Sequence, residues 1–165
     1  MKIKYNAPYR LEQISKGEFI DLQVCETYGI YAPFVVDDTM QEKSRVAFPE
    51  YSLDLGIAMQ LPKDFEAIMV PRSSTFSKYK ILFGNSVGVI DSSYCGDNDR
   101  WKFKCVAIGE SVVPKHSRIC QFTIRPSMKA SIWTKLKWLF TNKVEFEYVD
   151  VLGNPNRGGF GSTGV

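Results

Sequence analysis

Histidine is almost missing from this chain: of 165 residues only His116 is one. It lies in the loop-like stretch Val113-Pro114-Lys115-His116-Ser117, where a surface turn histidine is expected. With no other histidine and no glycine elbow around a serine, a Ser-His-Asp or Cys-His nucleophile would have to be built on that turn. The four cysteines, Cys25, Cys95, Cys105 and Cys120, occur singly. Without a C-x-x-C pair they argue against bound zinc. No stretch approaches the ~18 consecutive apolar residues of a membrane span, and Met-Lys-Ile-Lys-Tyr lacks the features of a secretion signal, so a cytoplasmic protein is expected. Charge of one sign is also missing. Lys and Arg total 21 against 18 Asp and Glu, a net +3 with the signs interspersed. That leaves no basic stripe for a nucleic-acid polymer. Carboxylates, a metal and phosphate-binding groups remain as chemical tools.

What is present is a soluble composition, 44% hydrophobic and 24% charged, with no repeat or linker, which predicts a single domain over 1–165. Short segments rich in Val, Ile, Phe and Tyr alternate with Gly, Pro, Asn, Asp and Ser, the pattern of an all-β sandwich, jelly roll or barrel. Strands are predicted at 19–25, 31–36, 52–61, 67–70, 87–90, 101–108, 118–125 and 144–151. Two stretches suit helices. One is 73–79, after Pro71. The other is 128–140, where Met128, Ile132, Leu136, Leu139 and Phe140 form an apolar stripe expected to cover the body of the protein; Trp138 falls off that stripe.

Four blocks carry chemistry. Pro71-Arg72-Ser73-Ser74-Thr75 has the equipment for an anion at a helix start, or for a capped surface turn. Residues 84–96, GNSVGVIDSSYCG, predict a strand-turn-strand hairpin with Asp91 and Tyr94 three residues apart. Its backbone could meet a base edge, and Asp91 could orient and deprotonate a water or simply cap a turn. In Arg118-Ile119-Cys120-Gln121-Phe122, alternation puts Arg118, Cys120 and Phe122 on one face and Ile119 with Gln121 on the other. The terminal Arg157-Gly158-Gly159-Phe160-Gly161-Ser162-Thr163-Gly164 joins a phosphate-binding fork, a stacking ring and two hydroxyls to a permissive backbone, as in a nucleotide lid. Gly96-Asp97-Asn98-Asp99 is expected to be a β-turn rather than a calcium loop.

In order and wording, PRSS, GNSVGVIDSSYCG, RICQF and RGGFGSTG resemble the second to fifth motifs of the trimeric dUTPase family over residues 52–164. The GDND-x-W continuation at Gly96 to Trp101 resembles the short dUTPases of Gram-positive bacteria and their phages. For the first motif, Asp21-Leu22 is preferred to Asp54-Leu55, because the latter lies one strand too close to PRSS. The chain departs from the family at Ser93, where many members have an aspartate, in a shortened fifth motif, and at 27–45 and 128–142, which look like insertions.

The resemblance implies a distorted jelly-roll β-barrel, a homotrimer with sites at subunit interfaces and a mobile C-terminal lid over 156–165. It implies magnesium-dependent hydrolysis of dUTP to dUMP and pyrophosphate. Asp91 would hold the attacking water and Tyr94 would lie under deoxyribose. Asn85, Gly88 and Ile90 would meet uracil, and Arg72, Ser73, Ser74 and Gln121 the phosphates. Arg157, Ser162 and Thr163 would close over the outer phosphates, with Gly161 beside them and Phe160 stacked on the base. Asp21 would reach Mg2+ through a metal-bound water. A dCTP deaminase would share the fold, but its catalytic glutamate is expected after the hairpin, where Asp91 and Tyr94 stand. A nucleotide sensor acting through a regulatory protein partner is the other reading, with the two insertions as candidate contact surfaces.

Overall fold

The computed structural model describes residues 1–11, 18–38, 43–141 and 143–159. The first strands are β1 (Lys2–Asn6), β2 (Ile20–Gln23), β3 (Tyr28–Ile30), β4 (Phe34–Asp38), β5 (Lys43–Ala47), β6 (Glu50–Asp54), β7 (Ala58–Gln60) and β8 (Phe65–Pro71). Helix α1 (Thr75–Tyr79) follows, then β9 (Ile81–Phe83), β10 (Gly88–Asp91), β11 (Lys102–Ala107), β12 (Ser111–Val113) and β13 (Arg118–Pro126). Helix α2 (Ile132–Thr141) and β14 (Glu145–Tyr148) complete the order. The all-β expectation holds.

Strands pair out of chain order, as closing a jelly roll requires: β14-β1-β7, β10-β8-β13-β2 and β6-β11-β9, with two-stranded β12-β3 and β4-β5. Alternation drives the inner faces together. β11 turns Phe103, Cys105 and Ala107 inward, and these join Trp101, Phe122, Leu53 and Ile3 in one core. Trp101 meets Phe122 edge-on at 5.2 Å, and Phe83 stacks on Phe103 at 4.4 Å. Burial pushes the Cys105 thiol up to about 12, so it is an inert core residue rather than a nucleophile. His116 is the exposed turn residue expected, in left-handed backbone with φ 67.

Several sequence expectations are corrected. The strand expected over 52–61 is two strands, split where Gly56 adopts φ 65 and packs against Pro8 and Cys25; a side chain there would collide with both. The segment 31–36 is strand only from Phe34, and β1, β3, β5, β9 and β12 were not anticipated, being short or polar on one face. No β9–β10 hairpin forms. β9 pairs with β11 and β10 with β8, so residues 84–87 make a corner between two sheets. In β13 a bulge between Arg118 and Cys120 buries Ile119 and Cys120 in succession, which takes Arg118 off the Cys120 face.

α2 is also reversed relative to expectation. Ser131 caps it, accepting from the Thr134 amide at 3.1 Å. The off-stripe Trp138 is what meets the body, edge-on to Phe65 at 5.3 Å. The apolar stripe faces outward, and no residue of the helix is buried. A body with few partners for the stripe and an aromatic ring for Trp138 sets the rotation. Phe122 lies at the centre of the core, fully buried between Trp101 and Phe146. Phe122→Ala is therefore expected to cost about 3–5 kcal/mol, read as a lower urea midpoint.

Candidate active site

Three of the four chemical blocks lie on or directly beside the sheet β10-β8-β13-β2, and the described start of the fourth reaches it through Arg157. At one end, Asp21 of β2 pairs in register with Gln121 of β13, which in turn faces Val70 of β8. Asp21 is 8% exposed. Its Oδ1 lies 2.9 Å from Arg72 Nε and its Oδ2 3.3 Å from Arg118 Nη1. Neither oxygen accepts a well-aligned hydrogen bond among the described residues, so the guanidinium charges are what keep this acid in the interior. Two arginines against one carboxylate leave the corner net positive. Asp54, the rejected alternative, sits in another sheet and accepts from the Gly56 amide at 2.7 Å.

The PRSS block turns directly after β8. The Arg72 amide and the Thr75 hydroxyl both donate to the Ile119 carbonyl, which fastens the turn to β13. Thr75 is thereby buried. Ser73 is exposed, and the Ser74 hydroxyl makes no capping bond although Ser74 precedes α1. The expected capped turn is absent, and two hydroxyls lie beside the positive corner.

At the other end of the sheet, β10 closes with Asp91 opposite Glu66. Gly88 and Ile90 face inward and Val89 and Asp91 outward. A Cβ on Gly88 would lie 3.1 Å from Met69 Cε and 3.3 Å from Phe83 Cζ, so any side chain there would require Met69 and Phe83 to shift. Asn85 is exposed on the corner before it. Asp91 Oδ1 accepts from the Ser93 amide at 2.8 Å and from the Ser93 hydroxyl, and its Oδ2 meets Arg157 Nη1 at 2.7 Å. Ser93, the departure from the family pattern, thus props the carboxylate. Partial burial raises the Asp91 pKa, but the Ser93 bonds and Arg157 outweigh it and the net shift is downward. Tyr94 donates to the Arg100 carbonyl at 3.1 Å. Gly159 lies against its ring, where a Cβ would stand 3.1 Å from the ring edge.

Sequence reasoning missed what brings the terminal segment here. The Gly96-Asp97-Asn98-Asp99 turn is a clasp. Asp99, 1% exposed, accepts from the amides of Gly96, Arg157 and Gly158, each at 2.9 Å. Asp97 accepts from Leu152 at 2.7 Å and Gly153 at 3.1 Å, and the Asn156 side chain accepts from the Asn98 amide at 2.8 Å. Gly96 must lack a side chain, since a Cβ would come within 2.6 Å of Asn156 Cα. The available signal was three Asx residues in a row after a glycine, but the Asp97 and Asp99 carboxylates accept from amides more than fifty residues away, and Asn98 donates to the equally distant Asn156. Phe160, Gly161, Ser162 and Thr163 lie outside the described residues.

The two ends are well separated. Glu66, beside Asp91, and Arg72 are six residues apart on an extended strand, roughly 20 Å.

Two outcomes follow from this geometry. Arg157→Ala removes a group that lowers the Asp91 pKa, so the acid limb of kcat/KM should move to higher pH, as measured on the free enzyme's profile. Asp99→Ala should cut amide exchange protection at Arg157 and Gly158 by at least about ten-fold, because both lose a charged acceptor.

A dUTPase family model matches residues 40–142 of the chain. The chain is 38% identical to the SPbeta prophage-derived deoxyuridine 5'-triphosphate nucleotidohydrolase YosS of Bacillus subtilis, across the whole of this chain and 98% of that one. Among solved structures it resembles the dUTPase of Streptococcus mutans, with a TM-score of 0.60 and 18% identity over 79% of this chain and 99% of that one. It also resembles a mutant dUTPase from phage phi11 of S. aureus, described with a structural Mg(II) ion, with a TM-score of 0.59 and 12% identity over 79% of this chain and 94% of that one. The chain belongs to the dUTPase family.

Proposed function

We propose that this enzyme hydrolyses dUTP to dUMP and pyrophosphate in a site completed by two or more copies of the chain. The carrying observation is that Asp91, Gln121 and Asp21 stand on one sheet, with Tyr94 and Arg72 just past the ends of its strands β10 and β8, in a chain that matches a dUTP nucleotidohydrolase over its full length. The separation of the two ends of β8 supports the sharing. The positive corner around Arg72 and Arg118 suits phosphate oxygens, with Gln121, Ser73 and Ser74 beside it. Brought against the Asp91 end of a neighbouring copy, it would place the α-phosphorus next to a water held by Asp91. A homotrimer meets this need with closed symmetry.

In the chemical step, the oxygen of that water bonds to the α-phosphorus, its proton passes to Asp91, and the bond from the α-phosphorus to the bridging oxygen breaks, releasing pyrophosphate. Arg157 serves two partners. Paired with Asp91 before substrate arrives, it keeps the carboxylate ionised. When phosphates draw it away, Asp91 becomes the stronger base. Tyr94 supplies the flat floor for deoxyribose, and the backbone of the Asn85 corner and of Ile90 the polar edge for uracil. The tail beyond Gly159, with Phe160, Gly161, Ser162 and Thr163, is the segment suited to cover them.

Mg2+ fits as a companion of the substrate. No group of three or more His, Cys, Asp or Glu among the described residues could hold an ion. Asp21, whose two buried oxygens are ion-paired to Arg72 and Arg118, would face it through a water once a triphosphate draws those arginines away, and until then they disfavour the ion. When bound, it neutralises and orients the triphosphate. No helix of the described residues is long and apolar enough to cross a membrane.

Asp91→Asn should lower dUTP turnover by about 10²–10⁴-fold in a pyrophosphate assay, with dCTP, dTTP and UTP poor substrates of the parent. Sharing has its own test. Asp91→Asn and Arg72→Ala chains, each inactive, are unfolded together and refolded as mixed oligomers. A shared site regains up to about a quarter of parental activity, whereas a site within one chain regains none.

A further inference from the structure

The face of α2 turned away from the body is a built surface. Leu139, Ile132, Leu136, Phe140 and Trp133 fall within an arc of about 120° on the helical wheel. Trp133 is 77% exposed, Leu139 71% and Phe140 85%. Lys135 borders this arc on one side and Lys137 on the other. Across residues 127–143 there are four lysines, Lys129, Lys135, Lys137 and Lys143, and no acidic residue. Trp138 against Phe65 and the Ser131 cap fix the rotation that points the arc outward.

We propose that α2 docks this enzyme on a lipid surface carrying anionic headgroups, lying in the interfacial plane with Trp133, Leu139 and Phe140 inserted. The argument is charge and shape together. An apolar arc edged by lysines on both flanks lets the stems run alongside inserted rings while the ammonium groups reach headgroup phosphates. A second copy of this helix would set lysine rows against lysine rows. A groove in a protein would have to strip water from both flanks at once, whereas a plane leaves them hydrated. The large exposed aromatics are otherwise a liability on a soluble surface. The inference is independent of the catalytic reading, since none of the residues assigned to the site lies on α2.

The test is cosedimentation of the full chain with vesicles of phosphatidylglycerol and phosphatidylcholine in equal parts, against phosphatidylcholine alone, at low and high salt. The parent should bind the mixed vesicles at least about ten-fold better than the neutral ones, and lose that excess at high salt. Trp133→Ser with Phe140→Ser, both at exposed positions, should abolish binding and leave dUTP turnover unchanged; Lys129→Glu with Lys137→Glu should remove the preference for anionic vesicles. Equal sedimentation of the Trp133/Phe140 variant and the parent overturns the proposal, as does absence of parental binding to mixed vesicles. Dissociation of the oligomer in that variant, seen by light scattering, would assign the face to a second copy and overturn it. So would retention by immobilised polyglutamate without vesicle binding, which points to an acidic protein.

Discussion

The straight run of β8 is the constraint on which the rest of this molecule depends. Along β8, Glu66 opposite Asp91 and Arg72 in the positive corner beyond Pro71 are six residues apart. The core holds that distance rigid, because Ala67 and Met69 of the same strand are buried between β10 and β13. No side-chain rearrangement closes so long a gap. With the two ends of one rigid sheet roughly 20 Å apart, the proposed chemistry calls on a second copy to bring them to one substrate.

Each end uses the same physical device, a carboxylate balanced by arginine, with different outcomes. Asp21 is buried and outnumbered, so its corner keeps a surplus of positive charge for phosphate. Asp91 is half-exposed, braced by Ser93, and paired with a single arginine on a segment whose backbone amides are held by the Asp97 and Asp99 carboxylates. The second pair is the one that can be exchanged. The Asp97–Asp99 clasp fixes the segment up to Gly158.

The two segments read as insertions, 27–45 and 128–142, differ in how they join the body. In the first, β3 pairs with β12 and buries Ile30 in the core, whereas β4 and β5 pair with one another. In the second, α2 has no buried residue and meets the body through Trp138, exposing an apolar arc with basic margins.

The sequence by itself determined the strand-rich class, the identity of the chemical residues and the family, because these depend on residue type and local spacing. Asp91 with Tyr94, PRSS and RICQF are legible as chemistry before any fold is known. The outward face of α2 was not legible, since periodicity finds a stripe but not which side of the helix meets the body. Nor was the bulge at Ile119, the sheet corner at Asn85, or the clasp made by Asp99. Only the tertiary structure decided these, together with the pairing of Arg157 with Asp91 and the distance between the two ends of the sheet. The reason is physical: each depends on partners far apart in the chain, whose meeting is set by core packing and strand order rather than by any local preference.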